Sequence, residues 1–299
     1  MGTVGLKIFN KSMKKKVALV LSGGGARGIA HIGVIEELEK RGFEITSVAG
    51  TSMGALVGGV YAAGEMEIFK DWITIFDQYL LLSLMDFSFS KNGILKGNKV
   101  LKELHNLVPN IDIEKCRIPY CAIATDLKSR KEVVFDSGKL YDAIRASISL
   151  PPLFQPFELN DMLLIDGGTT NHLPLNRVKR TDGDILVAVD VSANIPITKK
   201  YPKVIENTLE ENELKILDQI RKFKLYKPTQ KKHQINYINL LTESVTIMFQ
   251  KIAEQSIEMY KPDILIRMPI DSYNILEFYE AGMIIKAGAE AAREVLDKY

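Results

Sequence analysis

The sequence is short of the residues that hold metals, build disulfides or make strong one-signed fields. It has two cysteines, four histidines and one tryptophan in 299 residues. Cys116 and Cys121 flank one apolar run with no metal-ligand spacing, so they read as two buried thiols in a reducing compartment, and no metal is expected. Charge of one sign is also missing: 39 Lys and Arg stand against 37 Asp and Glu, a net +2. That balance is too even to argue for nucleic acid. The lysines leave contact with an anionic lipid surface open, although a solvated face is the plainer reading.

Long uninterrupted apolar runs are absent too. After Lys14-Lys15-Lys16, the run Val17–Leu21 is shorter than the roughly 7 residues of a secretory signal core. Residues 1–16 read as a leader, with Met13 an alternative start. The stretch from Ile45 to Gly64 carries no charge and nearly suits a membrane span. It holds Gly50, Gly54, Gly58 and Gly59 among serines and threonines, however, which fits a strand, a sharp turn and a buried helix. A soluble cytoplasmic protein is expected, with membrane contact at most peripheral and a homo-oligomer left open.

What is present is an alternation of short apolar runs and helical patterns. Val17–Leu21 ends in glycines, as a buried parallel strand does. Residues 28–41 carry helical periodicity, Ile45–Ala49 is a second strand, and helix returns at 53–63. That order predicts an α/β fold with a mostly parallel central sheet and helices on both faces. Residues 66–107 read as mainly helical, with an apolar patch from Tyr79 to Met85. Tyr120–Thr125, Val133–Phe135, Met162–Ile165, Ile185–Asp190 and Ile264–Ile266 read as strands. Asp142–Ser147 reads as a short helix, followed by an irregular loop at Pro151, Pro152 and Pro156. Residues 199–235 read as a charged helical insertion, 236–260 as an amphipathic helix, and 275–297 as helix. One domain over 17–299 is expected.

Three motifs carry chemistry. Gly23-Gly24-Gly25-Ala26-Arg27-Gly28 joins a strand to a helix, where bare backbone amides and the helix start make an anion hole. The pattern is formally also a dinucleotide fingerprint. That reading needs an acid at the end of the second strand, and Gly50-Thr51-Ser52 stands there instead. The second motif, Gly50-Thr51-Ser52-Met53-Gly54, is the G-x-S-x-G nucleophile elbow in a strand–turn–helix setting. The third, Asp166-Gly167-Gly168, places an acid at the carboxyl end of a strand read as parallel.

A Ser-His-Asp triad would need a histidine. His31 lies in a helix start, His105 at the end of a polar helix and His233 in a lysine run. His172, six residues after Asp166, is the contender for the base.

Together these motifs resemble the patatin-like phospholipases. Ala146-Ser147 with Pro151, Phe154 and Pro156 resembles the family's loop before its aspartate, and Asn171-His172-Leu173-Pro174 the segment after it. The match covers residues 17–195. The resemblance implies a three-layer α/β/α sandwich and a lipid acyl hydrolase with a Ser-Asp dyad. Ser52 would be the nucleophile and Asp166 the base. Gly23, Gly24, Gly25 and Arg27 would form the oxyanion site, with Gly28, Gly50, Gly54, Gly167 and Gly168 in support. No cofactor is implied, and the partner would be a lipid ester. A free Asp is a weak base for a serine hydroxyl, so Asp166 is expected to be buried and hydrogen-bonded to Ser52. The alternatives are an acyltransferase on the same dyad and an idle lipid-binding or regulatory protein. Leu80, Leu81, Leu82, Leu84, Met85 and Phe87 fit an acyl groove, a membrane contact or a core helix alike.

Overall fold

The computed structural model describes residues 15–77, 98–151, 153–199, 201 and 237–299. One sheet holds β1 (Lys15–Leu21), β2 (Phe43–Thr51), β3 (Tyr120–Asp126), β4 (Lys131–Phe135), β5 (Phe157–Leu159), β6 (Met162–Asp166), β7 (Ile185–Ala193) and β8 (Ile264–Pro269). Their order is β5-β6-β3-β2-β1-β7-β8, with β4 against β3. The five strands from β3 through β8 run parallel, as expected. β4 and β6 run antiparallel to β3, and β5 antiparallel to β6.

The helices are α1 (Ala30–Lys40), α2 (Met53–Ala63), α3 (Met66–Thr74), α4 (Asn98–Leu107), α5 (Leu140–Ser147), α6 (Tyr237–Tyr260) and α7 (Ala281–Leu296). Strand alternation explains how β1 serves two cores. Val17, Leu19 and Leu21 join the larger core under α1, α2 and α7. Ala18 and Val20 face a smaller one closed by Leu173, Leu175 and Val178 and by Ala253 of α6. Both faces are covered, which is why β1 reads as a continuous apolar run rather than an alternating one. Among the described residues no helix is long and apolar enough to cross a membrane.

Some boundaries differ from the sequence reading. β1 reaches back to Lys15, inside the expected leader, and pairs there with Phe43; residues 1–14 lie outside the described residues. β5 forms where an irregular loop was expected, because Asn160 and Asp161 both take positive φ and close a two-residue hairpin onto β6. The final helical stretch begins at Phe278 with a 3-10 turn rather than at 275. Cys121 is buried within β3, whereas Cys116 is only half-buried. The Tyr79–Met85 patch with Phe87, Pro152, His233 and nearly all of the charged insertion lie outside the described residues.

Candidate active site

Ser52 sits in the turn between β2 and α2 with φ 56° and ψ −125°. A non-glycine residue there carries strain of about 1–3 kcal/mol, which the surroundings must hold in place. They do so from several sides. Gly54 lies so close to the end of β1 that a Cβ would fall 2.4 Å from the Leu21 carbonyl oxygen. Gly50 in turn admits the Gly54 backbone. The Ser52 amide donates to Ser147 Oγ at 2.8 Å, and Ser147 Oγ donates to the Ile123 carbonyl at 2.6 Å. The Thr51 hydroxyl donates to the Asn171 carbonyl at 2.8 Å. Ser147 and Asn171 were visible in the sequence only as parts of flanking segments; their hydrogen bonds give them a positioning role that no local pattern announces.

Asp166 lies at the end of β6, and the strand direction corrects the sequence reading. β6 is antiparallel, so the placement does not come from a parallel strand's carboxyl edge. It comes from register. Thr51 pairs with Ile123, and the next residue of β3, Ala124, pairs with Asp166. Asp166 is 1% exposed. Its Oδ1 accepts the Gly168 amide at 2.8 Å. Burial raises its pKa to about 6, while the nearby Ser52 hydroxyl and the Gly168 amide pull the other way. Oδ2 has no hydrogen bond of normal geometry among the described residues. The expected burial is therefore present, and the Ser52 hydroxyl stands close enough to the Asp166 carboxyl to counter part of the shift.

The glycine loop faces the same narrow cleft: Gly23, Gly24, Gly25 and Arg27 line it with Ser52, Asp166 and His172. The Gly23 amide is already engaged, donating to the His172 carbonyl at 3.3 Å. No acceptor for the Gly24 and Gly25 amides is found among the described residues. Arg27 is buried, and its Nη1 donates to the Ile270 and Tyr273 carbonyls at 3.2 and 2.9 Å. Burial lowers its pKa to about 10, against Asp271, Asp190, Glu277 and Glu243, which leaves it charged at neutral pH. It fixes the loop that carries Ile275 against Gly25. Gly28 packs on Met53, and Gly167 on the Ile123 backbone. From above, α6 closes the cleft with Thr242, Val245, Thr246 and Phe249.

The histidines divide clearly. His31 Nε2 bonds the Ser22 carbonyl at 2.9 Å, and burial lowers its pKa to about 4, so it is a structural group. His105 packs at a tilt against the Tyr141 ring. His172 is inside the cleft, but it pairs with neither Ser52 nor Asp166. Burial, with Arg27 and His31 adding to it, holds its pKa down to about 3, which makes it a poor proton acceptor.

The model of the patatin-like phospholipase family matches residues 19–179. An uncharacterized NTE family protein of Mycobacterium tuberculosis is 44% identical over 183 residues, which cover 61% of this chain and 51% of that one. The neuropathy target esterase sws of Drosophila melanogaster is 30% identical over 59% of this chain and 13% of its own length. The lysophospholipase NTE1 of Meyerozyma guilliermondii is 32% identical over 59% and 13%. VipD of Legionella pneumophila aligns in structure with a TM-score of 0.46 at 13% identity, over 95% of this chain and 67% of that one. The chain thus spans about half the length of the mycobacterial relative and a small part of the larger ones. The family model covers more than half of the chain, and the protein belongs to the patatin-like phospholipase family.

Proposed function

We propose that this chain is a lipid acyl hydrolase, a phospholipase or esterase that works through a Ser-Asp dyad. The observation that carries the reading is Ser52 on a strained elbow beside a buried carboxyl whose pKa lies near 6. That value leaves Asp166 mostly ionised at neutral pH yet far more basic than a free aspartate. Asp166 takes the Ser52 proton as Oγ attacks the ester carbonyl. The Gly24 and Gly25 amides receive the oxyanion. Asp166 then protonates the leaving alcohol, and the acyl group stays on Ser52. Water, deprotonated by the same carboxylate, adds to the acyl-ester; the tetrahedral adduct expels Ser52 Oγ, which recovers the proton. Arg27 contributes its charge and a fixed loop rather than a donor from Nη1.

The esterase and lysophospholipase names among the relatives support a lipid ester as substrate. The outer side of α6 exposes Leu240, Leu241, Ile247 and Met248, which supports peripheral contact with a lipid surface. The test is labelling with a serine-reactive fluorophosphonate alongside turnover of lysophosphatidylcholine. Wild type should label and turn over, Ser52→Ala should do neither, and Asp166→Asn should lose turnover. Labelling that survives Ser52→Ala overturns the assignment. Adding an acceptor alcohol and analysing the products separates hydrolysis from acyl transfer.

A further inference from the structure

His172 is a cleft group that the dyad leaves without a task. Its side chain is buried to 3% exposure, and neither ring nitrogen has a hydrogen-bond partner among the described residues. Two orphaned nitrogens on one buried ring are costly, and native interiors rarely tolerate them without a use.

The ring is also held with care. Its face stacks on Phe249 of α6, with centroids 5.1 Å apart and planes at 28°. Its edge lies over two glycines of separate motifs. A Cβ on Gly23 would sit 2.8 Å from His172 Cε1, 3.1 Å from Nδ1 and 3.2 Å from Ser52 Cβ. A Cβ on Gly168 would sit 2.9 Å from His172 Nδ1 and 3.1 Å from Asp166 Oδ1. These contacts place Nδ1 within about 6 Å of both Ser52 Cβ and Asp166 Oδ1, and the missing side chains of Gly23 and Gly168 make room for the ring. The nearby Gly23 carbonyl, which favours a protonated ring, already accepts from Ser22 Oγ at 3.0 Å and Ser192 Oγ at 3.2 Å.

We propose that His172 is a catalytic residue of deacylation, holding the hydrolytic water between its Nδ1 and the Asp166 carboxylate. The inference rests on the Ser-Asp reading above. With Nε2 carrying the ring proton, Nδ1 offers a lone pair. The water donates one O–H to Asp166 and the other to Nδ1, and its oxygen lone pair is left facing the acyl carbonyl carbon. As the new C–O bond forms, Asp166 takes the first proton and the carbonyl oxygen becomes the oxyanion. The C–Oγ bond then breaks, Asp166 returns that proton to Ser52 Oγ, and the carboxylic acid leaves. His172 neither gains nor loses a proton. This role needs a neutral imidazole, which the burial described above secures at physiological pH.

The experiment uses the full chain and p-nitrophenyl butyrate, with acid quenching and mass spectrometry of the intact protein during turnover. Wild type, His172→Phe, His172→Gln and Ser52→Ala are compared, each checked for folding by thermal melting. His172→Phe keeps the stacking on Phe249 and removes the acceptor. The expected result is butyrylated Ser52 accumulating in His172→Phe, with steady-state turnover about 10- to 100-fold lower. Release of the first nitrophenol should stay within threefold of wild type. His172→Gln, which keeps an acceptor, should recover part of the loss. Turnover within twofold of wild type in His172→Phe overturns the role, and so does slower turnover without acyl-enzyme accumulation. If His172→Phe fails to fold, His172→Gln decides by the same two readings: accumulation above wild type supports the role and wild-type levels overturn it. Full activity in Ser52→Ala instead overturns the dyad itself, a distinguishable failure.

Discussion

Asp166 stands level with Ser52 across the sheet, because the residue it pairs with on β3, Ala124, follows directly on Ile123, the partner of Thr51. An antiparallel strand thereby delivers its last residue to the elbow of a parallel one. The acid needs no third group to orient it; β3 sets its level, and the Gly168 amide and the Ser149 carbonyl, which accepts the Asp166 amide at 3.0 Å, fix its ends.

The first prediction concerns pH. Only the ionised carboxylate can take the serine proton, and burial places its titration near 6. kcat/KM should therefore rise with pH through about 6 and level off above it, with a value at pH 5 about tenfold below the plateau. His172 and His31, with pKa values near 3 and 4, add no limb in this range. Asp190 is also buried and raised to about 6, so the profile should be repeated in Asp190→Asn, where the limb should persist. A flat profile from pH 5 to 8 would refute the base assignment.

The same carboxyl should weaken the fold. A raised acid pKa means that the folded state binds its proton more tightly than the unfolded chain does. The penalty is absent below the unfolded value of 3.8, grows as pH rises, and is complete above about 6. Its full size is about 3 kcal/mol. Asp166→Asn should therefore be inactive yet more stable than wild type in urea at pH 7.5, and the gain should shrink at pH 4.5. Equal gains at both pH values would mean that the charge is not the cause.

Much of this was legible in the sequence. The glycine loop, the elbow and the Asp-Gly-Gly each announce a local backbone demand, and local demands survive in a linear text. So does the parallel sheet, since Val17–Leu21 of β1 and Leu186–Val189 of β7 are buried and read as unbroken apolar runs. The direction of β6 was not legible, because Met162–Asp166 is too short and too apolar to state which neighbour it joins. Its partner β5 did carry a signal, the Asn160-Asp161 pair between apolar residues, outweighed by three nearby prolines. The engagement of the Gly23 amide by the His172 carbonyl and of Arg27 by the Ile270 and Tyr273 carbonyls depends on residues far away in the chain. No window of sequence contains both partners.

Ser147 should prove as important as its distance from the chemistry allows. Its hydroxyl bridges the Ser52 amide and the Ile123 carbonyl inside the sheet. Ser147→Ala leaves the amide of a strained residue unpaired, at a cost of about 1–3 kcal/mol. Urea unfolding should show that loss. kcat should fall more than KM rises, because the elbow is displaced rather than the substrate contacts.

A test of lipid-surface contact lies on the outside of α6. Leu241 and Ile247 are exposed on the helix whose other side closes the cleft. Leu241→Glu with Ile247→Glu should lower turnover of vesicle phospholipid severalfold and leave a soluble short-chain ester within twofold. Equal losses on both substrates would point instead to a disturbed cleft.

The last prediction isolates the strain at the proposed nucleophile. Ser52 holds φ 56°, a value that costs an L-residue energy and glycine almost none. Ser52→Ala removes the hydroxyl and keeps the strain; Ser52→Gly removes both. Glycine also gains freedom in the unfolded chain, which works against it by roughly 0.5–1 kcal/mol. The strain of about 1–3 kcal/mol outweighs that term, so Ser52→Gly should be the more stable of the two by about 1 kcal/mol in urea unfolding at pH 7.5. Both variants should be inactive, so the comparison reads backbone energy alone. A Ser52→Gly protein no more stable than Ser52→Ala would mean that the turn is relaxed around an ordinary side chain, and that the elbow holds its serine without stored strain.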